Sequence, residues 1–469
     1  MRTVAGSRAA AGGQSRLRLR HLIWAAGQVV SFETAFLLFI FAAAYKPDPR
    51  FAWFPGDMTL VFFAVSVAAA VVPLLRGGLF YLPGLYALWA GVIFVLWIAA
   101  SLAWSPSEIY AREKLILVAA GNLWCLIATA MIIGSSRVRV WRLLILLLVF
   151  GVLMAVDYTI SSVPESRRVE NFLRIGENYL ALGRLVGLAA LVAFALWLRA
   201  PARSARGPIL LTAFAVCGYV LLKGGGRNPA AAVAVPMLMP LLLSFRLPRG
   251  RLVISRSILA SLGLIAVLIL AVIVLAMFSD SSLRTLQRFD MLMNKVDSGE
   301  PANPRLELWR HAVAYWVERP LVGHGVGAWP ILYLGQDHRH YPHSIILELL
   351  VEFGLVGLGL FAALVLVLAW PVSLRRLRED PALMCVLMLC MNTFINAMST
   401  GDLADNRNLF AMLGLLAMRP PKGPIDVGTK SCPPHVRAPD LRRTDFPQAV
   451  RHSDRSRVSV RARRPARGR

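Results

Sequence analysis

Cysteine is scarce in this 469-residue chain: Cys125, Cys217, Cys385, Cys390 and Cys432, with no C-x-x-C pair. That pattern excludes a disulfide scaffold and a cysteine-bound metal, and the four cysteines in apolar runs read as small core residues. Acidic side chains are also few, 26 against 51 lysines and arginines, which leaves a net charge of +25. In a soluble protein this excess would suggest nucleic acid. Here the arginines fall in the tails and in alternate loops, and no C2H2 or RNP-type motif occurs, so no nucleic-acid partner is expected. Walker A, G-x-S-x-G, H-E-x-x-H and Asp-x-Asp are all missing, which removes ATP, esterase, zincin and metal-bound nucleotide-sugar chemistry. Strand-like alternation is missing too, and with it an outer-membrane barrel.

What the chain does have is apolar length. Hydrophobic residues make up 57%, and a soluble domain of this size has no core able to hold them. A helix needs about 20 apolar residues to cross a bilayer core of about 30 Å, and such runs recur. The sequence predicts an all-α, polytopic membrane protein with about twelve transmembrane helices. They fall near 22–44, 58–75, 79–100, 113–134, 140–161, 179–199, 208–223, 229–245, 257–278, 344–370, 381–398 and 405–418.

The loops sort by charge. One set carries Arg76, Arg137, Arg139, Arg142, Arg199, Arg203, Arg206, Arg246, Arg249, Arg251, Arg256, Arg375, Arg376 and Arg378, and both arginine-rich tails belong to it. The other set carries Asp48, Glu108, Glu113, Glu165, Glu170, Asp280, Asp402 and Asp405. By the positive-inside rule both termini are cytoplasmic and His343 opens its span on the outer side. The expected organisation is a basic cytoplasmic N-tail (1–21), nine spans (22–278), a large outward loop with short helices (279–343), three spans (344–418) and a disordered basic cytoplasmic tail (419–469).

Within the outward loop, "NPRLELWRHAVAYWVERP" reads as a helix. Asn303 caps it, Pro304 suits its first turn and Pro320 ends it. Leu306, Trp309, Val313, Trp316 and Val317 recur at helical spacing. That stripe suits either the membrane interface or packing against the bundle.

Charge at membrane depth is costly and marks function by default. On the outward half the candidates are Arg184, Arg227, Arg305 and His343. A guanidinium matches phosphate oxygens, and Arg227 follows three glycines at a helix start, where amides favour anions. Plain snorkelling or pairing with a glutamate is the competing reading for the arginines. Histidine exchanges a proton near neutral pH, as activation of a hydroxyl requires. His338, His340 and His343 have a spacing that permits zinc, but no cysteine or carboxylate joins them, so no metal is expected. Glu348 and Glu352 share one helix face and must point into the bundle, an arginine being one candidate partner.

Two connected segments then resemble a known family. "NPRLELWRHAVAYWVERPLVGHGVGAW" (303–329) and "YPHSIILELLVEFGLVGLGLFAALV" (341–365) are similar to the signature of the O-antigen ligase and polymerase superfamily of bacterial inner-membrane proteins. His343 and Gly354 reproduce its His-x10-Gly spacing, Arg184 and Leu188 its Arg-x3-Leu, and "GGGRNPAAAV" stands where Ser-Arg-Gly is usual. Ser344 and Asn228 depart from the pattern. The resemblance implies transfer of a glycan from an undecaprenyl diphosphate donor to an acceptor hydroxyl, on lipid A core or a similar lipid or glycan, at the periplasmic face. It implies no cofactor and no metal, with contacts to other glycan-assembly proteins. His343 would activate or orient the acceptor hydroxyl, while Arg184, Arg227 and Arg305 would hold the diphosphate. The alternatives are a repeat-unit polymerase for O-antigen or exopolysaccharide and, from another class, a glycolipid transporter.

Overall fold

The computed structural model describes residues 31–75, 81–160, 178–201, 203–224, 227–244, 305–399 and 401–421, with Gly27 and Gly263 besides. Every regular element among them is helical. In chain order the main helices are α1 (Phe32–Ile40), α2 (Met58–Leu75), α3 (Leu82–Ala100), α4 (Ile109–Ile133), α5 (Arg137–Ile160), α6 (Asn178–Trp197) and α7 (Arg206–Lys223). They are followed by α8 (Arg227–Met237), α9 (Arg305–Glu318), α10 (Ala328–Leu334), α11 (Ile345–Ala369), α12 (Pro381–Ala397) and α13 (Arg407–Leu416).

Seven of these, α2 to α7 and α11, are long and apolar enough to cross a membrane. The protein is therefore a multi-pass membrane protein. The other runs behave differently. The 229–245 run is divided at Leu238 into α8 and a short helix, Met239–Ser244, where Pro240 brings no backbone donor to continue the ladder. Helices α12 and α13 have 17 and 10 residues. The described part of the 22–44 run holds α1 and a single turn, Ala42–Tyr45. The 257–278 run, residues 279–304 and the tail beyond Pro421 lie outside the described residues, Gly263 apart.

Helix α6 forms the centre. Leu185, Val186 and the whole run Leu188–Phe194 are buried, as expected of a helix that is apolar all round and surrounded by others. Small residues allow the close approach: a Cβ on Gly151 of α5 would stand 2.3 Å from Ala189 Cβ. On the outside, Leu60, Leu75, Trp89, Leu96 and Leu153 expose more than half of their surface, which suits a hydrocarbon solvent.

The two ends of the bundle are chemically distinct. At one end Arg137 pairs with Asp380, Arg376 Nη2 donates to the Met418 carbonyl (2.6 Å), and Arg378 Nε donates to that of Leu243 (3.0 Å). This gathers loops of the arginine-rich set. At the other end Arg50 pairs with Asp157 (2.5 Å), Arg339 pairs with Asp405, and Asn122 Nδ2 donates to the Leu403 carbonyl (2.7 Å).

Candidate functional site

The site is organised by a break in α11. Gly354 has φ +64° and ψ −164° in the middle of the helix, a region open essentially to glycine alone. The chain just after α9 fills the gap. The amides of Leu355 and Val356 donate to the carbonyls of Pro320 (2.9 Å) and Leu321 (3.1 Å). In return His324 and Gly325 amides donate to Val351 (2.8 Å) and Glu352 (2.8 Å). A helix broken at membrane depth must satisfy its freed amides and carbonyls from protein. Segment 320–325 does this.

The glycines of "PLVGHGVG" make that fit possible. Gly323, Gly325 and Gly327 all have positive φ. A Cβ on Gly323 would lie 2.5 Å from the Glu352 carbonyl carbon, and one on Gly325 would lie 2.6 Å from Ser105 Cα. The exit is fastened by Ser105 Oγ donating to Val326 O (2.6 Å) and by Val326 N donating to Ser101 Oγ (3.0 Å). Further on, the Asp337 carboxylate accepts from Ser107 Oγ (2.7 Å) and from the amides of Glu108, Ile109 and Tyr110 (2.9, 2.9 and 3.2 Å). It thereby caps α4 from a distance. Those amide and hydroxyl donors outweigh the burial that opposes them and hold Asp337 below the usual carboxylate range.

His343 immediately precedes Ser344, the residue that begins α11. Its φ is +56°, unlike any other non-glycine among the described residues, and such backbone costs of the order of 1–3 kcal/mol and needs support. Support comes from Trp309 of α9, whose Nε1 donates to the Pro342 carbonyl (3.1 Å). The imidazole lies 4.6 Å, centroid to centroid, from the Tyr341 ring, and its Nδ1 is buried with no protein partner. Burial first, then the Arg305 charge and His340, bring its pKa down to about 4. The ring is neutral at physiological pH, with a nitrogen to spare.

The predicted arginines converge here in different ways. Arg305 opens α9 within electrostatic reach of His343. Arg184 of α6 lies within electrostatic reach of Asp405 and of the Tyr341 phenol, and the Tyr341 ring also neighbours that of His343. Gly401, at φ +84°, makes room for Arg184: a Cβ there would stand 3.1 Å from an Arg184 Nη. Arg227 is the first residue of α8. The next residue, Asn228, donates from Nδ2 to Asn396 Oδ1 (3.1 Å). Asn396 lines a polar cleft together with Arg184, Asn392 and Asp405. The start of α8 therefore adjoins the cleft that Arg184 lines. Of the other two histidines, His340 accepts through Nδ1 from Trp329 Nε1 (2.9 Å), and His338 is exposed.

Beneath the site lies a buried charge cluster. Lys114 Nζ donates to Glu348 (2.5 Å) and to both oxygens of Glu352 (2.8 and 2.9 Å), with Asp402 at 3.5 Å; all four side chains have zero exposure. The partner of the two glutamates is thus a lysine and not an arginine. Glu348 also accepts from the Leu403 amide (3.0 Å), and burial pushes Asp402 well above the ordinary carboxylate range. The cluster joins α4, the first half of α11 and the 402–405 turn, which carries Asp405. Lys114 was detectable in principle: two glutamates inside an apolar span demand a cation inside another. Asp405, Arg339 and Tyr341 carry no comparable signal.

Helix α9 divides its apolar residues. Leu306, Val313 and Val317 are exposed, whereas Trp309 and Trp316 are half-buried and donate to the carbonyls of Pro342 and Pro320. The tryptophans fasten the helix to the protein, and the aliphatic stripe faces outward.

An all-helical, multi-pass membrane protein with a broken span, a neutral histidine at its mouth and arginines around it defines the class. A family model described as O-antigen ligase matches residues 212–362. That match supports the likeness to the O-antigen ligase and polymerase superfamily. The matched stretch runs from α7 through the Gly354 break and includes Arg227, Arg305 and His343, while Arg184 precedes it. No curated protein matches the chain.

Proposed function

We propose that the protein is a ligase-type glycosyltransferase of the bacterial inner membrane, with both termini cytoplasmic and the His343 end periplasmic. It moves a glycan from undecaprenyl diphosphate to an acceptor hydroxyl on a lipid A core or similar acceptor. The observation that carries this reading is the convergence of His343, Arg305 and Arg184 at one end of the bundle, with the start of α8 beside them.

In the reaction the acceptor oxygen forms a bond to the anomeric carbon as that carbon's bond to the diphosphate oxygen breaks, with inversion. The electron pair leaves on the diphosphate, where Arg184, Arg227 and Arg305 hold the growing charge. The hydroxyl proton goes to His343, which is neutral and ready to accept it. Arg305 has a second effect. Its charge is one cause of the low pKa of His343, so a dianion bound against it relieves that repulsion and strengthens the base. Donor binding primes the acceptor step. None of these steps calls on a metal ion.

The test is complementation of a deletion strain with His343→Ala. Surface glycan should be lost at an unchanged level of membrane protein; normal surface glycan removes the assignment. Long carrier-linked chains accumulating in the deletion strain support the ligase, whereas single repeat units point to a polymerase.

A further inference from the structure

A row of rings leads away from His343 across the loop that contains α9 and α10. Trp329 and His340 lie side by side, nearly coplanar (9°), and are joined by the Trp329 Nε1 to His340 Nδ1 hydrogen bond. Tyr333 is parallel to both within 13°, with its centroid 5.1 Å from Trp329 and 5.8 Å from His340. Tyr341 follows at 6.4 Å from His340 and 4.6 Å from His343. Trp329 is fully buried, whereas Tyr333, His340 and Tyr341 are partly exposed. The ledge is held rigidly. Tyr315 Oη donates to Leu332 O (2.7 Å), and the His311 ring meets Tyr333 edge-on at 5.3 Å.

Partly exposed aromatic rings in a row that ends at His343 suit a ligand with a matching face. An aromatic face is electron-rich and attracts the positive edge of C–H bonds. A pyranose offers such a C–H face, with hydroxyls around its rim. The bond from Trp329 fixes His340 as the tautomer with its proton on Nε2, leaving a donor for one of those hydroxyls. His340 is lowered by burial and by His338, which keeps that neutral form in place.

Resting on the transferase reading above, we propose that Tyr333, His340 and Tyr341 form a sugar-stacking subsite. It seats the acceptor's terminal pyranose so that its hydroxyl meets His343. The acceptor is chosen over the donor because the row ends on His343, the group that takes the acceptor's proton.

The test uses the full chain, purified in a detergent without sugar headgroups, with rough lipopolysaccharide from the deletion strain as acceptor. Tyr333→Leu should raise the acceptor KM about tenfold and leave kcat within about twofold. Tyr333→Phe, which keeps the ring face, should match the parent. His340→Gln serves as the second variant if Tyr333→Leu does not fold. An unchanged acceptor KM, an equal loss in the Leu and Phe variants, or a rise confined to the donor KM overturns the proposal. Binding of the same lipopolysaccharide to His343→Ala protein, with and without Tyr333→Leu, reads the ledge apart from the chemistry. Weaker binding in the double variant supports the subsite and equal binding sinks it, whatever becomes of the catalytic assignment.

Discussion

Replacing Gly354 with alanine tests the organisation of the site. The new Cβ would lie 2.3 Å from the carbonyl carbon and oxygen of Leu321 and 2.6 Å from Val322 N. All three are backbone atoms and cannot swing aside. The backbone at φ +64°, ψ −164° adds roughly 1–3 kcal/mol for any residue with a side chain. If segment 320–325 withdraws to relieve the clash, the bonds from Leu355 and Val356 to Pro320 and Leu321 go first, at about 1–3 kcal/mol for each of the two helix amides left unpaired away from water. The total is at least about 3 kcal/mol and reaches about 9 kcal/mol if all of these are lost. Gly359→Ala is the matched control in the same helix, because nothing lies within 4 Å of its added Cβ; it should be neutral or gain up to about 1 kcal/mol. Thermal unfolding in detergent together with glycan transfer reads both variants. Gly354→Ala should melt well below the parent and transfer little, and Gly359→Ala should resemble the parent. Equal melting and equal transfer in the two variants would refute the account of the break.

Three further outcomes are expected. Below about pH 4 His343 is protonated and the acid limb of kcat/KM should fall; Arg305→Gln removes a cause of the low value, so that limb should move to higher pH in a pH–rate profile. Lys114→Met leaves Glu348 and Glu352 buried without their cation, at about 3–5 kcal/mol. Folded protein measured by size exclusion should drop, and adding Glu348→Gln and Glu352→Gln should recover part of it. Asp337→Ala uncaps α4 and should cost about 1 kcal/mol. Because the folded pKa of Asp337 is lowered, its contribution is complete above the unfolded value and fades as pH falls through the folded one, which acid-melting curves of parent and variant would reveal.

Much of the architecture was legible because membrane physics is severe on sequence. Apolar runs gave the seven long spans among the described residues, and the cost of charge at depth drew attention to Arg184 and His343, each of which neighbours Tyr341. The loop helix was legible from its period and its Pro320 stop, and it spans Arg305–Glu318. The break at Gly354 was not. A glycine in "VEFGLVGLGL" looks like any small residue in a membrane helix, and only the chain that fills the gap, about thirty residues earlier, gives it meaning. Lys114 escaped for a related reason, since a lysine near the start of a span reads as a boundary marker until the glutamates it meets, 234 and 238 residues on, are placed beside it.

The filler of the broken span is synthesised before the span itself. A ribosome making this chain releases residues 320–325 while their partners at Val351, Glu352, Leu355 and Val356 are still untranslated. When α11 leaves the translocon it carries four unmatched peptide groups, and it becomes comfortable in lipid only once the waiting segment docks. Completion of the broken span is therefore a late event, and truncations that end within α11 should strand the loop with nothing to close upon.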